Sequence, residues 1–410
     1  FDDNTPAPDQ TPSSKFSYIL RSVGKVSNLL KERRRRHIYL NDTPPRKGNL
    51  FLGILFLVII LVASLWGISK AGKERNLSTY ESELIGAQRN LEESIGLVEL
   101  NNKRAKELAL SAKKVSEDLT NRGVKDTRLK NLRDLLMINL PKILGEHKIE
   151  PIVLVDLGLA KEGFNTTMVS AVQNRIVALD SEKHTILSFD FGGGSMQALA
   201  GENLIPEAKL ITTDSRAVFV LDGLRIARII VEKEPSIRSL ILPEGNWGRI
   251  VALGTYGGSL YLVDSIKGQI WKYSATVERV GEGEPWLKTS DEPVDFNGTV
   301  SIAIDGSVWL LNKTGAISRF VQGKEVSFRI NDLEKELSSP KILVTEQELQ
   351  NLYILDSGNS RIVVLDKNGV YKAQYLWDKL ADASSIAVSE EKKKILIFIG
   401  GKVYQADLSQ

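Results

Sequence analysis

Six times between Arg175 and the carboxyl end, an apolar run stops at Asp, Asn or Gly and a second strand-like run follows. The copies are "RIVALDSEKHTILSFD" from Arg175, "AVFVLDGLRIARII" from Ala217, "SLYLVDSIKGQIWKY" from Ser259, "SVWLLNKTGAISRF" from Ser307, "NLYILDSGNSRIVVLD" from Asn351 and "KILIFIGGKVYQADL" from Lys394. The stopping residues are Asp180, Asp222, Asp264, Asn312, Asp356 and Gly400, so successive steps are 42, 42, 48, 44 and 44 residues. Alternating or β-branched runs flanking residues that accept tight-turn dihedrals read as hairpins. A period of roughly 40 to 50 residues is that of a four-stranded propeller blade, a sheet that buries its faces only against neighbouring copies.

Each hairpin is preceded by a short β-rich run that supplies the innermost strand: "TTMVSAV", "AKLITT", "RIVALGT", "TVSIAI", "KILVTE" and "SSIAVS". The last copy ends after Leu408, one strand short of four, while "PIVLVDLGL", Pro151 to Leu159, precedes the first blade without a partner of its own. Pairing the two closes the ring and removes an exposed sheet edge. Residues 150–410 are therefore expected to form an all-β six-bladed propeller.

The stretch "DSGNSRIVVLD" from Asp356 resembles the NHL type of propeller repeat, in which a polar turn is followed by Arg and a strand. Asp222 is followed by "GLR" and Asn312 by "KTG", so the resemblance covers one blade in detail and the others in outline. It implies a propeller that binds proteins or other ligands on one face, with enzymes as a minority.

The charge of the chain is unevenly placed. Residues 1–150 carry 26 Lys and Arg against 18 Asp and Glu, and residues 151–410 carry 28 against 33. An acidic propeller repels a phosphate backbone, so nucleic acid is not expected as its ligand. There is no cysteine, which excludes a disulfide-stapled or thiolate-metal protein.

"GNLFLGILFLVIILVASLWGIS", Gly48 to Ser69, holds no charged residue in 22 positions and is long enough to cross a hydrocarbon core of about 30 Å. Trp66 stands near one end, where an interfacial ring belongs. Lys31, Arg33, Arg34, Arg35, Arg36, Arg46 and Lys47 precede this transmembrane helix, against Lys70, Lys73 and Arg75 after it, so the amino end is expected to be cytoplasmic and the propeller extracytoplasmic. Arg33, Arg34, Arg35 and Arg36 are expected to contact anionic membrane lipid, at about 1 kcal/mol per charge. The preceding "FDDNTPAPDQTPSSK" makes residues 1–47 a disordered, basic linker, and a linker opening on Phe1 implies a further segment on its amino side.

Leu77, Leu84, Leu91, Val98, Ala105, Ala112 and Leu119 are seven residues apart, a coiled-coil repeat. Yet "LNN" at Leu100 to Asn102 is a helix stop followed by an N-cap, Gly123 ends a second helix and Asp126 caps a third. Residues 74–145 are therefore expected to form a short antiparallel helical bundle, with a continuous dimeric coiled coil as the alternative.

The residues that carry chemistry are sparse. His37, His147 and His184 form no pair at ligand spacing, and the innermost runs offer Thr, Ser, Val, Ile and Ala instead of the oxygen ring that calcium needs. Asp214 and Asp305 read as turn residues, and the repeated Asp180, Asp222, Asp264 and Asp356 as side chains bonded to their own turns. "FGGGS", Phe191 to Ser195, lacks the Lys-Ser/Thr ending of a phosphate loop. No catalytic residue, metal site or cofactor is expected. Trp247 and Arg249 in "EGNWGR", and Trp286 in "EGEPWLK", are the candidates for contact with an extracytoplasmic protein or polysaccharide, since Trp and Arg are enriched where partners bind.

This order of parts resembles membrane-anchored propeller proteins of bacteria, including candidate phyla, some of which carry an amino-terminal PPM-type phosphatase domain. The resemblance implies a non-catalytic binding or sensor ectodomain, the carboxyl-terminal half of a transmembrane signalling protein. A lactonase-like surface enzyme and a structural envelope protein are the alternatives.

Overall fold

The computed structural model describes residues 80–231, 236–241, 247–275, 280–288 and 294–408. The expected linker, the Arg33–Arg36 cluster and the Gly48–Ser69 segment lie outside them. Among the described residues no helix is long and apolar enough to cross a membrane.

Three helices open the described chain: α1 over residues 80–97, α2 (Asn102–Asn121) and α3 (Thr127–Leu144). The breaks are those expected from the caps. Asn101 accepts from Arg104 N at 3.1 Å, Gly123 takes a left-handed φ of 75°, and Asp126 accepts from Arg128 N at 2.7 Å. Leu84, Leu91, Ala105, Ala112 and Leu119 are all buried in one core with Leu129, Leu132 and Leu136, so the seven-residue stripe closes on the chain's own helices. The continuous coiled coil is thereby replaced by a bundle, because the two loops fold the stripe back on itself.

The propeller follows with six blades. From the channel outward, blade I is Met168–Val172, Arg175–Asp180, Thr185–Asp190 and Gln197–Ala200, and blade II is Ala208–Thr213, Ala217–Asp222, Arg225–Ile230 and Ser236–Ile241. Blade III is Ile250–Tyr256, Ser259–Asp264, Gln269–Ala275 and Val280–Pro285, and blade IV is Thr299–Ile304, Ser307–Asn312, Ile317–Val321 and Lys324–Val326. Blade V is Pro340–Val344, Asn351–Asp356, Arg361–Asp366 and Tyr371–Leu376. Blade VI takes Ser385–Ser389, Lys394–Ile399 and Lys402–Asp407 from the end of the chain and Ile152–Asp156 from before blade I, so the ring closes as expected. Within each blade neighbouring strands are antiparallel, and in blades II to V the innermost pair is interrupted by a one-residue register shift near its start.

Blade faces bury against each other in six clusters around the ring. Phe189 of blade I meets Phe398 of blade VI, Ile186 of blade I meets Val220 of blade II, Phe219 of blade II meets Leu262 of blade III, and Val263 of blade III meets Phe320 of blade IV. Trp309 of blade IV meets Ile354 of blade V, and Tyr375 of blade V meets Ile397 of blade VI.

The bundle joins the propeller at blade V. Residues Glu146–Lys148 form a fifth strand there, parallel to Tyr371–Leu376. The Tyr371 hydroxyl donates to Leu144 O at 2.9 Å, and the Lys106 ammonium lies 4.4 Å from the Tyr371 ring centroid. Burial lowers the Lys106 pKa from its ordinary value and raises that of Tyr371. Lys113 adds an ion pair with Glu334 at 3.0 Å.

Candidate ligand channel

The innermost strands all start on one face of the ring and end on the other, and the two faces have different chemistry. On the start face, the repeated acids are locks. Asp180 accepts from Asn165 N at 2.8 Å, Asp222 from Glu207 N at 2.6 Å, Asp264 from Gly248 N at 2.6 Å and Asp356 from Ser338 N at 2.7 Å. Each carboxylate therefore ties the turn after the second strand to the chain entering its own blade. Asn312 does the same in blade IV by donating to Asn297 O at 2.9 Å. The Arg of the NHL-like stretch completes this lock: Arg361 Nε reaches Asp356 Oδ2 at 2.7 Å with both side chains buried. Arg225 serves Asp222 in blade II, and the Trp271 indole serves Asp264 at 3.1 Å in blade III.

The candidate recognition residues also lie on the start face. Trp247 Nε1 donates to Tyr273 OH at 2.7 Å and its ring packs edge-on to Tyr273 in the cluster between blades II and III. Trp286 packs edge-on to Tyr261 at 5.7 Å between blades III and IV. Both rings are half-buried, whereas Arg249 is exposed.

A central channel of about 940 Å³ is lined by the innermost strands of all six blades. Its serines and threonines staple one blade to the next: Ser170 Oγ accepts from Thr213 N at 3.0 Å, Thr255 Oγ1 donates to Thr213 O at 2.7 Å, and Ser301 Oγ donates to Leu343 O at 3.3 Å. Splayed innermost strands share no ladder, so hydroxyls bridge backbone groups that would otherwise be buried unsatisfied. The Ser385 hydroxyl lines the channel too, buried and without a hydrogen-bond partner among the described residues.

Charged groups stand at both mouths. At the start mouth Lys209 and Lys341 line the wall, and Lys341 Nζ donates to Ala383 O of blade VI at 2.6 Å; burial lowers its pKa. At the end mouth blade II contributes Asp214, Arg216 and Arg228, and blade V contributes Glu346 and Glu348. Blades II and V are three steps apart in a ring of six, so the turn carrying Asp214 and Arg216 and the loop carrying Glu346 and Glu348 lie on opposite walls, while Arg228 stands farther out, on the third strand of blade II. Asp214 is a turn residue, accepting from Arg216 N at 2.8 Å and Ala217 N at 2.7 Å. Arg228 is 2% exposed and lies 5.8 Å from the Phe219 ring centroid. Glu346 follows the innermost strand of blade V, and burial, helped by neighbouring Glu348, pushes its carboxyl up to about 7. Tyr256 of blade III completes this rim.

Sequence reasoning placed the turn acids but missed Glu346 and Arg228. Glu346 closes the innermost run "KILVTE", which was read for its apolar and hydroxyl residues, and the only signal for Arg228 was a single cation inside the apolar run "RIARII". His184 sits in a hairpin turn with φ 46°, and His147 stacks on Tyr375 with centroids 5.2 Å apart. No group of three or more His, Asp or Glu that could hold a metal occurs among the described residues.

No protein-family model matches the chain, and no curated protein matches it. Solved structures do. Virginiamycin B lyase from Staphylococcus aureus is 12% identical with a TM-score of 0.43, covering 64% of this chain and 99% of that one. A gluconolactonase from Xanthomonas campestris is 10% identical with a TM-score of 0.46, covering 64% and 90%. The aldose sugar dehydrogenase of Streptomyces coelicolor, in its PQQ-bound form, is 13% identical with a TM-score of 0.41, covering 63% and 98%. The expectation that these residues carry no catalysis is the one these likenesses stand against, since a lyase, a lactonase and a dehydrogenase are among the matching structures, as is a nidogen/laminin complex. At 10–13% identity the likeness is one of fold, and none of their substrates carries over.

Proposed function

We propose that the propeller takes a polar ligand into the end mouth of its central channel and that the chain displays it on the outer side of a membrane. The observation that carries the first part is a 940 Å³ channel whose end mouth sets the exposed Arg216 of blade II on the wall opposite the Glu346 and Glu348 carboxyl groups of blade V. Such convergent polar groups in a concave site fix the orientation of a small ligand. The second part rests on the sequence: an uncharged stretch from Gly48 to Ser69 preceded by Arg33–Arg36. A PPM-type phosphatase domain on the amino side, as in the propeller proteins the chain resembles, would make that ligand an input to signalling.

The test is a panel of neutral and charged saccharides measured by calorimetry against the full-length chain in detergent. Ser215 and Gln347 are exposed on opposite walls of the end mouth, so Ser215→Trp or Gln347→Trp plugs it without disturbing a core. Binding lost in both variants with the melting temperature unchanged supports the channel; binding retained in both refutes it. Protease added to intact cells checks the orientation, since a fully protected propeller contradicts external display.

A second reading has its own observation. A half-buried carboxyl near 7 at the rim of a channel has the proton affinity of a general acid or base at neutral pH. Turnover of a sugar-lactone or ester panel that is lost in Glu346→Gln, with binding retained, would establish it.

A further inference from the structure

One turn of the bundle is apolar on its outer side as well as on its inner side. Among the exposed large apolar side chains of the described residues, three fall within four positions only in α3, where Leu135, Met137 and Ile138 are 47%, 73% and 58% exposed. The core needs none of them, since Leu129, Leu132, Leu136 and Ile143 already fill the α3 side of it. At 3.6 residues per turn Ile138 points away from that core, with Leu135 one turn before it on the same outward face. Met137 stands on the flank and opens on a groove of about 540 Å³ between α2 and α3, lined in part by Leu140 and Pro141. A turn that is apolar all round has a second surface to bury.

The charges around this turn indicate what covers it. Lys130 and Arg133 precede it and Lys142 follows it, all exposed, against the single exposed acid Asp134. Arg128 is not free to join them, being paired with Asp126 at 2.8 Å and Glu81 at 2.9 Å. On α1 the balance is reversed, with Glu92 and Glu93 exposed against Arg89. An apolar centre between long cations is the pattern of a helix lying in a lipid–water interface, its stems along the apolar surface and its charges toward anionic headgroups.

The sequence supplies such a surface within reach. Ten residues, 70–79, separate the uncharged Gly48–Ser69 stretch from Tyr80, and they span at most about 36 Å. Glu81 pairs with Arg128, so the chain enters the bundle beside the start of α3, itself 18 residues and about 27 Å long. We infer that α3 lies against an anionic bilayer surface through Leu135, Met137 and Ile138, with Lys130, Arg133 and Lys142 on lipid headgroups. The inference rests on the membrane reading proposed above and adds a second contact with lipid, made by the bundle.

The chain has no cysteine, so a single introduced one takes a label without ambiguity. The full-length chain carrying Ile138→Cys, or Arg89→Cys on α1 as control, is labelled with an environment-sensitive fluorophore and placed in nanodiscs of phosphatidylcholine with or without phosphatidylglycerol. The label at 138 is expected to shift to the blue and to be quenched by spin-labelled lipid, most strongly by probes about 5–10 Å deep, while the label at 89 stays unquenched. Lys130 and Lys142 are exposed, so Lys130→Gln with Lys142→Gln should leave the fold intact and lower quenching on phosphatidylglycerol discs several-fold, each charge being worth about fivefold. A label at 138 that stays unquenched in a chain inserted in the discs would overturn the inference and leave the membrane reading standing. A chain that does not enter the discs would overturn both. Shielding at 138 without quenching, with disulfide-linked pairs of Ile138→Cys chains, would show that a second copy covers the face and would overturn the lipid contact. Equal quenching on neutral and anionic discs would overturn the role given to the cations.

Discussion

Blades III and V bury the same acid in the same turn and satisfy it differently. In blade V, Asp356 accepts from Ser338 N, from Asn359 Nδ2 at 2.8 Å and from the buried guanidinium of Arg361 at 2.7 Å. In blade III, Asp264 takes only neutral donors: Gly248 N, Ile266 N and Lys267 N at 3.1 Å, and the Trp271 indole. The repeat therefore requires a buried acceptor, and each blade chooses its own donor. The choice in blade V has a consequence that blade III lacks. Arg361 donates onward to Gln374 Oε1 at 2.8 Å, and Gln374 Nε2 donates to Glu146 Oε1 at 2.8 Å, so the turn is wired to the strand that carries the helical bundle. Among the described residues no strand lies beyond Val280–Pro285 in blade III.

The largest way to break this comparison is Asp356→Ala. It leaves Arg361 buried without its counter-ion, and about 3–5 kcal/mol should be lost in denaturant unfolding. Asp264→Ala removes neutral bonds and should cost about 1–3 kcal/mol by the same measurement; equal losses would mean that the ion pair adds nothing.

Trp247→Ala should cost about 3 kcal/mol, the scale for an aromatic removed from packing, because the indole sits in the cluster between blades II and III. A melting temperature that stays put, with a partner no longer captured, would return Trp247 to recognition instead.

Gly145→Ala tests the wiring. Gly145 caps α3 at φ 68°, and an added Cβ would come within 2.7 Å of Lys372 O in blade V. A loss of about 1–3 kcal/mol is expected, with faster hydrogen exchange along Glu146–Lys148; unchanged exchange there would uncouple the bundle from the blade.

The smallest effect belongs to Glu346→Gln. A carboxyl whose pKa rises on folding to about 7 supports the fold while protonated and loses that support as pH climbs through 7. The variant should match the native chain near pH 5 and exceed it by about 1 kcal/mol at pH 8, a figure discounted for solvent screening. A difference at pH 5 as large as that at pH 8 would show that Glu346 does not titrate as described.

The repeat period, the turn residues and the helix caps were legible because each is a local instruction. Asp356 followed by "SGNSR", Asn101 before "NKRAKE" and Gly123 after Asn121 act within a few residues of themselves. Even the closing strand was legible, since Ile152–Asp156 had no partner nearby and blade VI lacked one strand.

Other features were decided only by tertiary structure. Glu146–Lys148 falls between the expected bundle and the expected propeller, yet it pairs with residues more than two hundred positions away. Arg216 and Glu346 line one channel only because their blades are three steps apart in a closed ring, and burial by that ring pushes the Glu346 carboxyl up to about 7. A sequence states its period and its turns through short-range dihedral and hydrogen-bond preferences. Burial and opposition across a channel are properties of the assembled ring, set by which walls the closure brings together.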